Sequence, residues 1–191
     1  MNTLAAMSLT ALTLSLAAPA LHAAGPTMAS TGNERGRYLV SIMGCNDCHT
    51  PYKMGPAGPE PDMTRFLSGH PAKKMLAPAK ISGSGWVWAG ADTNTAFFGP
   101  WGTSYAPNLT PDARTGLGSW TEKNFIETVR SGKHLGIGRP ILPPMPWPVY
   151  RNASDEDLKA IFAYLRTIPA IDNLAPESRP AAPMPEQTAR K

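Results

Sequence analysis

The chain's only two cysteines, Cys45 and Cys48, stand three positions apart, and His49 follows the second directly. The run Cys45-Asn46-Asp47-Cys48-His49 constrains the fold more than any other segment. With 17 Gly and 21 Pro, about a fifth of the 191 residues, the chain is loop-rich and needs something besides regular structure to organise a core. C-x-x-C followed by His is the spacing of covalent c-type haem attachment. Each thiol adds across one vinyl group of the porphyrin, and two intervening residues let both sulfurs reach the same ring edge. His49 is then left to offer a nitrogen to the iron. Two other readings compete. A disulfide or thioredoxin-like redox pair favours a strand-then-helix context and apolar neighbours, which these flanks lack. A zinc site would draw on Cys45, Cys48, His70 and His134 at no recognised spacing.

With His49 as sole ligand, a haem could bind gases or peroxide; a second protein ligand makes it an electron carrier, and a methionine raises its potential. The sulfur candidates are Met28, Met43, Met54, Met63, Met75, Met145 and Met184. Met145 lies in Ile141-Leu142-Pro143-Pro144-Met145-Pro146-Trp147-Pro148, where proline fixes φ and removes donors, giving a stiff strap that suits a weak thioether ligand. Met145 is therefore the preferred sixth ligand, with Met54, Met75, His70, His134 or an open site as the alternatives.

From Asn2 to Ala24 no Lys, Arg, Asp or Glu occurs. Residues 1–23 read as a secretory signal peptide, with an apolar run from Leu4 to Ala18, Pro19 as breaker and a small residue at Ala23. An uncleaved membrane anchor is the alternative, although Pro19 interrupts the run before a full span. Export places the chain in the periplasm. The net charge of +4 comes from dispersed basic residues rather than a dense stripe, which argues against nucleic acid. It suits steering of an acidic partner, with Lys53, Lys73, Lys74, Lys80 and Lys133 as contributors.

Three segments read as helices. Thr31-x-x-Glu34 is a capping box ahead of Tyr38, Leu39, Ile42 and Met43. A second helix starts near Thr121, buries Phe125, Ile126 and Val129, and ends at Gly132. Ser154-Asp155-Glu156-Asp157 opens a third, in which Leu158, Ile161, Phe162 and Leu165 repeat at helical spacing. Trp86, Trp88, Phe97, Phe98, Trp101 and Tyr105 are candidates to line a porphyrin, some of them in a small hairpin around Gly90-Ala91-Asp92. The backbone carbonyl expected to accept the far ring N–H of His49 lies near Pro56 or Pro100.

In order along the chain stand Gly36-x-Tyr38-Leu39, Cys45-x-x-Cys48-His49, Asn108-Leu109-Thr110-Pro111-Asp112 and Thr115-Gly116-x-Gly118-x-Trp120. Pro144-Met145-Pro146, Ser154-Asp155-Glu156-Asp157-Leu158 and Tyr164-Leu165 follow. This set resembles bacterial class I-type monohaem c cytochromes, and in particular the haem c modules that serve exported dehydrogenases. The resemblance implies an all-α cytochrome c fold of about three main helices around one covalent haem c. It also implies His49/Met145 ligation and single-electron transfer without catalysis, between an exported dehydrogenase donor and an oxidase or cytochrome acceptor. The expected organisation is a signal peptide (1–23), a flexible segment (24–32), the cytochrome c domain (33–171) and a disordered Pro/Ala-rich tail (172–191). Two alternatives remain, an electron-transfer subunit of a larger exported dehydrogenase complex and a five-coordinate haem enzyme or ligand sensor.

Overall fold

Helix α5 (Asp155–Leu165) forms because its ends and its faces agree. The Ser154 side chain accepts from the Asp157 N–H at 3.1 Å, and three acids occupy the first turn, where the helix dipole favours negative charge. Leu158, Ile161, Phe162 and Leu165 all face inward, at the predicted spacing. Helix α3 (Glu122–Ser131) is closed at its start by a reciprocal Thr121–Asn124 capping box. It ends at Gly132, whose φ of 67° is the left-handed conformation that glycine adopts without strain. The computed structural model describes residues 32–77, 81 and 85–181. The predicted signal peptide and most of the predicted flexible segment lie outside them. No helix among the described residues is long and apolar enough to cross a membrane.

Helix α1 (Gly32–Ile42) crosses α5 at Gly36, where a Cβ would come within 2.7 Å of both the Ala160 carbonyl carbon and Tyr164 Cβ. The buried side of α1 is Gly36, Leu39 and Val40, with Met43 just beyond packed on the core. This corrects the expected face: Tyr38 and Ile42 are 54% and 59% exposed, because the stripe that meets α5 starts from Gly36 and runs through Val40. Arg35 Nε reaches Asp157 Oδ1 at 2.9 Å across the same crossing. Leu39, Val40, Leu67, Leu117, Val129, Leu158, Ile161, Phe162 and Leu165 make one core between these helices and the loops.

The all-α expectation is overturned by two antiparallel sheets. Strands β1 (Tyr52–Gly55) and β2 (Gly58–Pro61) form a hairpin in the register Tyr52↔Pro61 to Gly55↔Gly58. The second sheet has the order β3 (Ala89–Gly90), β4 (Ala96–Gly99), β5 (Gly102–Tyr105) and β6 (Arg179–Pro180). The hairpin expected around Gly90-Ala91-Asp92 is therefore present as β3–β4 and extends into four strands. The architecture is mixed, with helices α1, α3 and α5 on the core and short strands built from the 52–105 segment and from Arg179–Pro180. Two further helices, α2 (Cys45–His49) and α4 (Trp147–Tyr150), are each a single turn or little more.

The stretch expected to be a disordered tail from residue 172 is ordered contact as far as its described part goes. Asn173 is buried, Tyr105 N–H donates to Ser178 Oγ at 3.1 Å, and Arg179–Pro180 pairs with β5. Alanine and proline content concealed this, since the segment is held by side-chain hydrogen bonds rather than by an apolar periodicity.

Candidate functional site

Helix α2 holds the whole Cys45-x-x-Cys48-His49 run. It follows Gly44, which turns the chain out of α1, and one helical turn puts Cys45, Cys48 and His49 on one face at i, i+3 and i+4. No disulfide joins the cysteines, both are half-buried, and Cys45 packs against the core. Burial pushes the Cys45 thiol up to about 11, with Asp47 and Cys48 adding to it. Burial and Asp47 raise Cys48 as well. A redox-active pair needs an accessible thiolate, the form that burial disfavours in this pair. Its surroundings suit uncharged sulfur, the form a thioether to a porphyrin takes. The zinc alternative also lacks its ligands: among the described residues no three His, Cys, Asp or Glu side chains converge on one point.

His49 is buried, and its Nδ1 lies 2.8 Å from the Pro107 carbonyl oxygen. A carbonyl can only accept, so Nδ1 carries the proton and Nε2 keeps its lone pair, the tautomer an axial ligand needs. Burial lowers the His49 pKa, and the bond to Pro107 offsets part of that shift. Pro107 takes the role expected near Pro56 or Pro100. The nearby motif Asn108-Leu109-Thr110 is the signal that could have found it. Asn108 is buried and saturated: Oδ1 accepts from Thr110 N–H at 2.9 Å, and Nδ2 donates to Ile171 O at 2.7 Å. The residue beside the acceptor is thus pinned.

Met145 is half-buried in the strap ahead of α4. The strap is tied at two points: Ser104 Oγ donates to Pro143 O at 2.7 Å, and Ile141 N–H donates to Gly132 O at 2.8 Å. Helix α4 then docks close to the start of α2, where the Tyr150 hydroxyl donates to the Met43 carbonyl. Burial, with Cys45, Cys48 and Asp47 adding, pushes the Tyr150 phenol up to about 12. Tyr150 was not among the residues read from the sequence, and it links the methionine strap to the cysteine pair.

The alternative ligands are placed otherwise. His70 is fully buried with both ring nitrogens engaged, Nδ1 with Thr95 Oγ1 at 2.9 Å and Nε2 with Lys74 O at 3.2 Å. His134 stands edge-on to Trp120. Met54 and Met75 are 77% and 82% exposed. Of the aromatic candidates, Phe97 and Tyr105 are buried in the four-stranded sheet, whereas Trp86 and Trp88 are exposed. Of the basic candidates, Lys53 and Lys74 are paired with Asp62 and Asp92, and Lys80 lies outside the described residues.

His70 gives a pH prediction. Burial lowers its pKa from the usual 6.5; the bond to the Lys74 carbonyl and the Asp92 charge oppose this, and the Lys74 and Arg65 charges add to it. Above about pH 6.5 both folded and unfolded chains hold it neutral, so its contribution to stability is complete. As the pH falls below that, the unfolded chain takes up a proton that the folded chain resists, and stability declines. Denaturant midpoints measured at pH 7.5 and 5.5 are expected to show this loss, and His70→Gln to show less of it.

No protein-family model matches the chain. Similarity to individual proteins is clear. The gluconate 2-dehydrogenase cytochrome c subunit of Pantoea cypripedii is 45% identical over 65 residues, 34% of this chain and 14% of that protein. The fructose dehydrogenase cytochrome subunit of Gluconobacter japonicus is 28% identical over 164 residues, 84% of this chain and 26% of that protein. A diheme cytochrome c-type protein of Cereibacter sphaeroides is 30% identical over 165 residues, 80% of this chain and 42% of that protein. The chain thus spans less than half the length of each of these relatives. The resemblance drawn from the motifs holds: the relatives are cytochrome c subunits of dehydrogenases and a diheme cytochrome c.

Proposed function

We propose that this relative of dehydrogenase cytochrome c subunits is a periplasmic single-electron carrier with one haem c, attached through Cys45 and Cys48 and ligated by His49 and Met145. The observation that carries the reading is the His49 tautomer, its Nδ1–H given to Pro107 O and its Nε2 left as a lone pair on the helix face that also bears Cys45 and Cys48. A bound haem supplies a one-electron iron couple, and the protein performs no bond-making step. The chain's own residues hold and orient. His49 is kept in one tautomer by Pro107, which raises its basicity as a ligand. The strap holds Met145 through its Ser104 and Gly132 anchors, so little conformational freedom is left for a thioether ligand to lose. Steering of an acidic partner falls to Lys73 and Lys133, which form no ion pair among the described residues. The donor is a dehydrogenase, as the names of the relatives suggest, and the acceptor another exported redox protein.

Intact mass together with a visible spectrum of the exported protein tests this. The expected result is the mass of the chain plus one haem that resists acid-acetone extraction, with a weak long-wavelength sulfur-to-iron band in the ferric state. A colourless extracted protein overturns the haem reading. Loss of the band together with tight carbon monoxide binding by the reduced protein replaces the carrier with the open-site enzyme or sensor. Stoichiometric co-purification of a dehydrogenase makes the chain a subunit rather than a diffusing carrier.

A further inference from the structure

The firmness with which His49 is held depends on its acceptor, and a buried side chain far away in sequence bears on that acceptor. Asn173 uses its whole hydrogen-bonding capacity on the loop 65–72. Its Oδ1 accepts from Arg65 Nη2 and Ala72 N–H, both at 3.0 Å. Its Nδ2 donates to Ser68 O at 2.7 Å and to His70 O at 2.9 Å. The loop has no ladder of its own, and two of its residues, Leu67 and Gly69, have φ of 58° and 76°. A non-glycine residue at such a φ persists only where its surroundings hold it.

That loop touches the imidazole's support from both sides. Gly69 N–H donates to His49 O at 2.7 Å, and Leu67 N–H donates to Thr50 Oγ1 at 3.0 Å. On the other side His70 N–H donates to Ala106 O and Leu109 N–H to Leu67 O, each at 2.9 Å. Gly69 lies so near the acceptor that a Cβ there would stand 2.6 Å from Pro107 O. The backbone of the same segment holds the other flank: Asn173 N–H donates to Thr115 Oγ1 at 3.0 Å, and Ile171 O receives Asn108 Nδ2.

We propose that Asn173 is a positioning residue for His49: through the 65–72 loop it fixes the Pro107 carbonyl that receives the His49 ring proton, and so it tunes the iron couple. The proposal rests on the haem reading above. Without the two Nδ2 donors, the Ser68 and His70 carbonyls are left buried and unpaired, and the loop shifts to satisfy them. A looser Nδ1–H···O bond makes His49 a less basic ligand, which favours ferrous iron.

The test compares wild-type holoprotein with Asn173→Ala and with Val129→Ala, a variant that shares the apolar core with Leu67 but whose side chain makes no hydrogen bond to the loop. In Asn173→Ala the His49 Nδ1–H of the reduced protein, followed by NMR, is expected to exchange at least roughly tenfold faster. Its midpoint potential is expected to move upward, while Val129→Ala loses melting temperature and moves neither. Should Asn173→Ala fail to fold, Asn173→Asp keeps the acceptors for Arg65 and Ala72, removes both donors, and is expected to shift both readouts in the same direction. Variants that lower the melting temperature with ring-proton exchange and potential unchanged overturn the proposal. A wild-type protein without covalent haem overturns the functional reading, and this one with it, before any variant is compared.

Discussion

Met145→Ala is expected to abolish the sulfur-to-iron band, open the reduced iron to carbon monoxide, and lower the midpoint potential. The fall should be on the order of tenths of a volt, within the roughly 0.8 V that axial ligands span. The variant is a clean one because the strap is not held by its methionine. Pro143 O keeps its bond from Ser104 Oγ, Ile141 N–H keeps Gly132 O, and α4 follows with Tyr150 bonded to Met43 O. Alanine therefore removes a ligand and leaves the backbone in place. Met54→Ala and Met75→Ala are expected to leave spectrum and potential unchanged, since both side chains stand mostly in solvent. Visible spectroscopy and a redox titration of the three variants decide the matter. An unaltered spectrum in Met145→Ala removes Met145 as the ligand.

Gly36→Leu is expected to cost about 3 kcal/mol or more, at the upper end of ordinary overpacking or beyond it. The opposing atoms are backbone of α5, at Ala160, and the Cβ of Tyr164, none of which is the far end of a flexible side chain. The two helices must separate, and Leu39, Val40, Leu158 and Ile161 lose contact together. For a domain of this size the melting temperature should fall by about 10 °C. Gly32→Ala is the matched control, since nothing lies within 4 Å of where its Cβ would stand. Its higher helix propensity leaves stability unchanged or raises it. Equal melting temperatures for Gly36→Leu and the wild type would mean that α1 and α5 do not cross at this glycine.

What the residues announced and what they concealed follow from the range of the interactions involved. Helix α5 was legible because the Ser154 cap, the acids after it and the 158–161–162–165 stripe agree over the cap and the eleven residues of the helix. Helix α3 was legible for the same reason, through Thr121 and Gly132. Of the sheets only the hairpin around Gly90-Ala91-Asp92 was. Strand β2 is Gly58-Pro59-Glu60-Pro61, and β3 and β6 are two residues each, so no alternation has room to develop. The Cys45-x-x-Cys48-His49 run stood out by its spacing, and the His49 tautomer did not, because its partner Pro107 lies 58 positions away. The hold of Asn173 on the 65–72 loop spans about a hundred positions and leaves no local pattern. The all-α expectation failed for a related reason: it came from a resemblance carried by helical motifs and was silent about the 52–105 stretch.

Pairing of Arg179–Pro180 with β5 gives the carboxyl-terminal stretch a place in the architecture. Anyone tethering this protein to a surface, or splicing it to another module, should attach the linker beyond residue 181. A graft made at 171 would discard Asn173 and the outermost strand together, leaving Gly102 and Thr103 at an open sheet edge where another polypeptide could add.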